Sequence, residues 1–127
     1  MEPRTRVLIV DNDPDVLFTL RTVFEAEGFD VALAADGSSA MRRLGEARPD
    51  VIVLDVAMPV LDGWYVLAEL AGMTGAPPVI VTSAKGHPLD VARAHALGAC
   101  EYFVKPWDAD VLVTKARRAS EMYAVVA

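Results

Sequence analysis

Residues 51–59 read VIVLDVAMP, four aliphatic residues followed directly by an aspartate, and this stretch decides the fold. An unbroken apolar run of strand length, in place of an alternating one, is typical of a strand buried on both faces of a parallel sheet. Open parallel sheets bind their ligands outside the carboxyl ends of the strands. Asp55 therefore stands where such a sheet carries its chemistry.

Four further apolar runs of strand length flank this one, and segments with helical spacing separate them. The runs are 7–10, 31–33, 79–81 and 102–104; the predicted helices begin near Pro14, cover about 38–46, 63–71 and 89–97, and end with one after Asp108. We expect Ser38 or Ser39 near the cap of the second helix. Five strand–helix repeats predict an α/β fold with a five-stranded, doubly wound parallel sheet.

The composition narrows the classes of function. A length of 127 residues suits one compact domain. A formal net charge of -6 argues against nucleic-acid binding by this domain, because phosphate contacts need Lys and Arg. The single cysteine, Cys100, excludes an internal disulfide and fits a reducing cytoplasm. No apolar run approaches the roughly 18 residues of a membrane span, so we expect a cytoplasmic domain without a membrane partner.

Polar side chains are concentrated where the predicted strands end. They are Asp11, Asn12 and Asp13 after the first strand, Asp55 after the third, Thr82 and Ser83 after the fourth, and Lys105 after the fifth. Crowded carboxylates repel unless a cation intervenes, and oxygen ligands suit Mg²⁺. A carboxylate beside Mg²⁺ can attack phosphorus and form an acyl phosphate, with an ammonium and a hydroxyl neutralising the transferred oxygens.

Six short motifs at these strand ends together resemble the receiver domains of two-component response regulators, from Val7 to about Arg118. They are VDNDP at 10–14, DG at 36–37, LDVAMP at 54–59, LDG at 61–63, TSAK at 82–85 and YFVKP at 102–106. Each motif is weak alone, but their order and placement make the set specific. The resemblance implies the flavodoxin-like (βα)5 receiver fold with strand order 2-1-3-4-5, in a single domain 1–127 with a core of about 5–118.

The resemblance also implies roles for individual residues. Asp55 would be the phosphoacceptor, taking phosphate from the phosphohistidine of a histidine kinase or a phosphotransfer protein. Lys105 would contact Asp55 or its phosphate, and the Lys105–Pro106 bond would be cis. Ser83 would be the switch hydroxyl. Tyr102 would be the switch aromatic, although a core or edge-strand tyrosine explains this position equally well.

The family's metal site implies Mg²⁺ bound by Asp11, Asn12, Asp55 and the backbone carbonyl of Ala57. Position 12 departs from the family, which usually has a second acid there as the direct ligand. A unit charge at ~4 Å is worth ~4 kcal/mol at an effective dielectric of 20, partly offset by desolvation. We therefore expect weakened Mg²⁺ binding. Asp13 is either an auxiliary acid of this site or the start of a helix.

The implied output is a two-state switch. In the family, phosphorylation draws the hydroxyl inward, the aromatic repacks, and the face formed by helix four, strand five and helix five changes. Its partner would be a downstream effector protein or a domain outside this chain. Many transcription-factor receivers form homodimers through salt bridges on this face, but Val111 stands where they often carry an acid. The chain itself would catalyse only its own phosphorylation and dephosphorylation.

Parts of the sequence resemble three other kinds of protein or site. Asp11 and Asp13 resemble the catalytic pair of haloacid-dehalogenase-type phosphatases, but the Thr or Val required two residues after the second acid is replaced by Asp15. A calcium loop over 11–15 lacks its glycine and its terminal glutamate. A degenerate receiver, which binds partners without phosphate, is favoured by Asn12 alone. We also expect the basic cluster of Lys115, Arg117 and Arg118 to form a solvated helix face.

Overall fold

The computed structural model describes residues 4–58 and 62–126, with side chains as far as Met122. Pro59 and Leu61, which belong to two of the sequence motifs, lie outside the described residues. The elements in chain order are β1 (Arg6–Val10), α1 (Pro14–Ala26), β2 (Asp30–Ala34), α2 (Gly37–Ala47), β3 (Val51–Asp55), α3 (Gly63–Ala71), β4 (Val79–Ser83), α4 (Pro88–Ala96), β5 (Glu101–Val104) and α5 (Ala109–Val126).

The five strands form one parallel sheet in the order β2-β1-β3-β4-β5. This confirms the fold class and the strand order predicted from the sequence. All five residues of β3 and all five of β4 are buried, because helices cover both faces of the sheet. Alternate side chains of β3 enter opposite cores: Ile52 and Leu54 face one, and Val51 and Val53 face the other. Continuous burial explains why these strands read as unbroken apolar runs.

Aspartates cap most of the helices. The carboxylates of Asp13, Asp36 and Asp62 accept backbone N–H groups at the starts of α1, α2 and α3, and Asp108 does the same for α5. The expectation of a serine cap for α2 is wrong, because that helix begins at Gly37 and Asp36 accepts from Ser39 N at 2.7 Å. Short side chains at these positions satisfy N–H groups that would otherwise lack partners.

The basic cluster on α5 is only partly solvated, which corrects the sequence-based expectation. Arg118 is exposed, but Arg117 is half-buried and its guanidinium lies 4.6 Å from the centroid of the Phe29 ring. Arg117 Nη2 also donates to the carbonyl oxygen of Glu27 at 2.6 Å. Arg117 therefore fastens α5 to the carboxyl end of α1.

No helix in residues 4–58 and 62–126 combines the length and the apolar character needed to cross a membrane.

Candidate functional site

Four strands deliver polar side chains to the same edge of the sheet. The register pairs Val10 with Leu54, so Asp11 and Asp55 come next on neighbouring strands. Ser83 ends β4 and pairs with Val104, and Lys105 follows at once. The structure thus brings Asp11, Asp55, Ser83 and Lys105, predicted at four separate strand ends, to one edge of the sheet.

Lys105 bridges two buried carboxylates at this edge. Its Nζ atom lies 2.7 Å from Asp11 Oδ2 and 3.0 Å from Asp55 Oδ2. Asp11 is 2% exposed and Asp55 is 4% exposed. The pocket therefore contains two carboxylates and one ammonium group, and the peptide bond between Lys105 and Pro106 is cis.

Burial and ion pairing act in opposite directions on these groups. Desolvation by burial raises the pKa of Asp11 above its ordinary 3.8, and hydrogen bonds from Lys105 and the Asp13 backbone only partly offset this. Burial alone would lower the pKa of Lys105, but hydrogen bonds to Asp11 and Asp55 outweigh it and raise the pKa above 10.5. Lys105 is therefore protonated at neutral pH and places a positive charge in the pocket.

Backbone N–H groups fix the other oxygen of each carboxylate. Asp13 N donates to Asp11 Oδ1 at 2.9 Å, and Ala57 N donates to Asp55 Oδ1 at 2.8 Å. Each carboxylate is consequently held from both sides, by a main-chain donor on one oxygen and by Lys105 on the other. Such two-sided support leaves a buried carboxylate with one orientation.

The structure places Asn12 and Asp13 outside this buried pair. Both are exposed, and Asp13 Oδ1 accepts the N–H of Asp15 at 2.9 Å as the cap of α1. Within residues 4–58 and 62–126, no group of three or more His, Cys, Asp or Glu side chains is arranged to hold a metal ion. A cation bound to Asp11 and Asp55 would therefore need amide, backbone or water oxygens to complete its shell, as Mg²⁺ commonly has.

Ser83 and Tyr102 both contact the loop that leads into α4, and both do so at Lys85. The Ser83 hydroxyl is 2% exposed and accepts the N–H of Lys85 at 3.0 Å. Tyr102 is half-buried and its hydroxyl donates to the Lys85 carbonyl oxygen at 2.5 Å. Thr82 is buried as deeply as Ser83 and pairs with Asp55 in the sheet register.

Two contacts beside the site were missed from the sequence. Gly63, in the LDG motif, packs against the Asp55 backbone so closely that it leaves no room for a Cβ atom. Trp64 lines a cleft of about 480 Å³ together with Ser83 and Lys85, and the Arg93 guanidinium lies 4.1 Å from a Trp64 ring centroid. The glycine in the motif was a signal for the first contact, whereas nothing local in the sequence points to the second.

Known proteins resemble this chain over nearly its whole length. The family model described as the response regulator receiver domain matches residues 7–117. The transcriptional regulatory protein PrrA of Mycobacterium tuberculosis is 45% identical over 112 residues, which are 88% of this chain and 48% of PrrA. The DNA-binding response regulator MtrA of Mycolicibacterium smegmatis is 39% identical over 114 residues, 90% of this chain and 50% of MtrA. The chain spans about half the length of these curated relatives.

Solved structures give the same result. The receiver domain of Francisella response regulator 1452 has a TM-score of 0.88 at 30% identity, covering 94% of this chain and 98% of that one. A CheY-like receiver domain protein from Methanospirillum hungatei has a TM-score of 0.91 at 20% identity, covering 98% and 100%, and this second likeness shows the fold alone. The chain belongs to the receiver domain family of two-component response regulators.

Proposed function

We propose that this chain accepts a phosphoryl group on Asp55 from the phosphohistidine of a histidine kinase or a phosphotransfer protein. The observation that carries the proposal is the contact of Lys105 Nζ with Asp55 Oδ2, at 3.0 Å, inside a pocket that buries the carboxylate. A buried carboxylate at a strand end, held in one orientation beside an ammonium group, is a preorganised nucleophile.

The transfer step uses the oxygen atoms of Asp55 directly. One oxygen attacks phosphorus, the P–O bond forms as the P–N bond to the donor imidazole breaks, and the electron pair returns to that nitrogen. Lys105 and the Ala57 N–H, which already contact Asp55, hold the carboxylate in place during the attack. Lys105 also offsets charge on the phosphoryl oxygens, and the Ser83 hydroxyl can donate to one of them.

The residues present fit Mg²⁺, with fewer charges than the family usually supplies. Asp11, Asp55, the Asn12 side-chain oxygen and the Ala57 carbonyl would hold the ion, which would neutralise charge developing on the phosphoryl oxygens. Two buried carboxylates that share one ammonium group retain a net negative charge that suits a cation. We propose that binding is weaker than usual because Asn12 brings no charge.

We further propose that phosphorylation switches the face of α4, β5 and α5. Ser83 and Tyr102 support this because both contact Lys85, at the start of the loop before α4. The apolar side chains of Leu89, Val104 and Val111 are exposed on these elements. We propose that this face docks an effector protein or a domain outside this chain. A homodimer through the same face would pack apolar groups where many transcription-factor receivers form salt bridges.

We propose that residues 1–127 form one receiver domain with a core of about 5–118, that it works in the cytoplasm, and that its only catalysis is its own phosphorylation and dephosphorylation. PrrA and MtrA are described as transcriptional and DNA-binding regulators. With a net charge of -6, this domain itself is proposed to bind no nucleic acid.

Phosphotransfer from a histidine-phosphorylated donor tests the acceptor. Wild type should take up ³²P with Mg²⁺ and much less without it, and Asp55→Asn should take up none. Asp36→Asn is the matched control, since asparagine caps a helix as well as aspartate does, and it should label normally. Label that survives Asp55→Asn but disappears in Asp11→Asn would move the acceptor to Asp11.

A degenerate receiver remains the second candidate function, and the uncharged, exposed Asn12 is the observation that favours it. Such a domain would bind its partner through the same face without responding to phosphate. Mg²⁺ titrated against tryptophan fluorescence, followed by beryllofluoride, separates the two. A change in fluorescence at millimolar Mg²⁺ supports phosphorylation, and no change supports the degenerate receiver.

A further inference from the structure

Among the described helices, α4 is the one most weakly anchored by apolar burial. It buries only Ala94 completely, and 74% of Leu89 is exposed. In contrast, α3 buries four residues, two of which are leucines. Because apolar burial is the main force that holds a helix on a sheet, the position of α4 depends strongly on a few side-chain contacts with its neighbours.

Two such contacts hold α4 and its leading loop from opposite sides. On the β5 side, the Tyr102 hydroxyl donates to the Lys85 carbonyl. On the α3 side, the Arg93 guanidinium stacks 4.1 Å from a ring centroid of Trp64, and a cation over an indole face is attracted by the ring. Trp64 also lines the cleft that reaches Ser83. The stack therefore joins the wall of the site to α4.

We propose that the Arg93–Trp64 stack is a latch that holds α4 in its resting position and sets the equilibrium constant of the switch. The inference rests on the proposed function, because the latch needs a switch to act on. At rest the Ser83 hydroxyl accepts the Lys85 N–H at 3.0 Å. When the hydroxyl turns to a phosphoryl group, this hydrogen bond is lost and the loop before α4 is released.

The stack stabilises the resting state more than the switched state, because its two residues move differently. Trp64 follows Gly63, and the buried Val66 and Leu67 fix α3 on the sheet. Arg93 travels with α4, so displacement of α4 separates the guanidinium from the indole. A contact made in only one of two states changes the free-energy difference between the states by the free energy of that contact.

The size of the effect follows from the exposure of the pair. Arg93 is exposed and Trp64 is half-buried, and a stack at such a site is worth about 0.5–1 kcal/mol, which is a factor of roughly two to five in an equilibrium constant. Loss of the stack should therefore make the chain easier to switch. The midpoint of a titration with a phosphate mimic should fall by that factor.

The test titrates beryllofluoride at constant Mg²⁺ into the full chain and follows the Lys85 amide by NMR. That amide reports directly on the Ser83 hydroxyl, because it donates to it at rest. The variants are Arg93→Met, Trp64→Leu and the double variant, with Arg93→Lys retaining a cation. Arg42→Met, which removes an exposed arginine from α2, is the matched control. Urea unfolding checks that every variant is folded.

We expect each single variant to lower the midpoint two- to fivefold, with no further fall in the double variant, since both changes remove the same contact. Arg93→Lys and Arg42→Met should stay close to wild type. Folded variants with an unchanged or higher midpoint would overturn the latch, and so would a double variant whose midpoint falls by the product of the two single effects. Neither result would bear on the proposed function. A wild type whose Lys85 amide never responds would overturn the proposed function, and the latch with it.

Discussion

Gly63 lies directly against the backbone of Asp55: a Cβ atom on Gly63 would stand 2.0 Å from the Asp55 carbonyl oxygen and 2.5 Å from Val56 Cα. Both contacts are backbone atoms at the end of a central, fully buried strand. Neither can move without moving the proposed acceptor, because packed interiors transmit such shifts. Gly63 therefore positions the main chain of Asp55, while Lys105 and the Ala57 N–H position its carboxylate.

Gly63→Ala should therefore affect both stability and transfer. The added methyl group forces a backbone shift at Asp55, and overpacking of this kind costs about 1–3 kcal/mol. We expect a lower free energy of unfolding in urea and slower phosphotransfer to Asp55, with the transfer defect persisting under conditions where the variant is fully folded.

Gly45→Ala is the matched control for this change. Gly45 lies within α2 and has open space where its Cβ would stand. The same substitution there should stabilise the chain by about 0.5–1 kcal/mol, because alanine favours the helix. If Gly63→Ala were as stable and as active as Gly45→Ala, the positioning role of Gly63 would be excluded.

Asn12→Asp should tighten Mg²⁺ binding. It adds a carboxylate next in sequence to Asp11, at the rim of a pocket where, among the described residues, Lys105 is the one cation within 4 Å of Asp11 and Asp55. Position 12 is exposed, so the added attraction should lie between the Coulomb energy of a charge pair in bulk water and that of a partly buried pair. We expect the dissociation constant for Mg²⁺ to fall about tenfold. Isothermal titration with Mg²⁺ measures it. Asp13→Asn should change the dissociation constant little, because Asp13 caps α1. If Asp13→Asn weakened Mg²⁺ binding as much as Asn12→Asp tightened it, Asp13 would be the metal-site acid in place of position 12.

The stability of Asp11→Asn relative to wild type should rise with pH. Burial raises the pKa of Asp11 above 3.8 in the folded chain. Protonation of Asp11 therefore stabilises the wild type fully below about pH 3.8, and this stabilisation is lost as the pH rises through the folded pKa. Asparagine does not titrate, so the variant loses nothing over the same range. Lys105 stays charged throughout, since its pKa is raised above 10.5. Urea midpoints measured with a chelator from about pH 3 to about pH 7 test this, and a pH-independent difference would refute it.

The sheet and the placement of polar residues at its carboxyl edge were predictable because both depend on local patterns. Unbroken apolar runs indicated strands buried on two faces, and a polar residue after each run marked the carboxyl edge. Asp55 and Lys105 became candidates in this way, from their positions at the ends of apolar strands. The parallel register of β3, β4 and β5 then places both at one edge of the sheet, where the Lys105 side chain reaches Asp55.

Contacts between distant side chains were not predictable in this way. Arg93 and Trp64 lie on different helices, and their spacing in the chain carries no periodic signal for the stack they form. The α2 cap was misassigned because Asp36, Ser38 and Ser39 are all good capping residues, and only the backbone geometry selects among them. Arg117 was assigned to solvent because its charge was visible in the sequence, whereas Phe29 beneath it was not.

The contact of Arg117 with Glu27 and Phe29 should stabilise the packing of α5 against the end of α1. Arg117→Met removes the hydrogen bond to the Glu27 carbonyl oxygen at 2.6 Å and the stack on Phe29. A charged hydrogen bond and a partly exposed cation–π contact together suggest a loss of about 1–3 kcal/mol. Arg118→Met removes the same charge from the next, exposed position, and should fall within about 0.5 kcal/mol of wild type. Urea unfolding compares the two; equal losses would show that charge, and not the contact with α1, sets the effect.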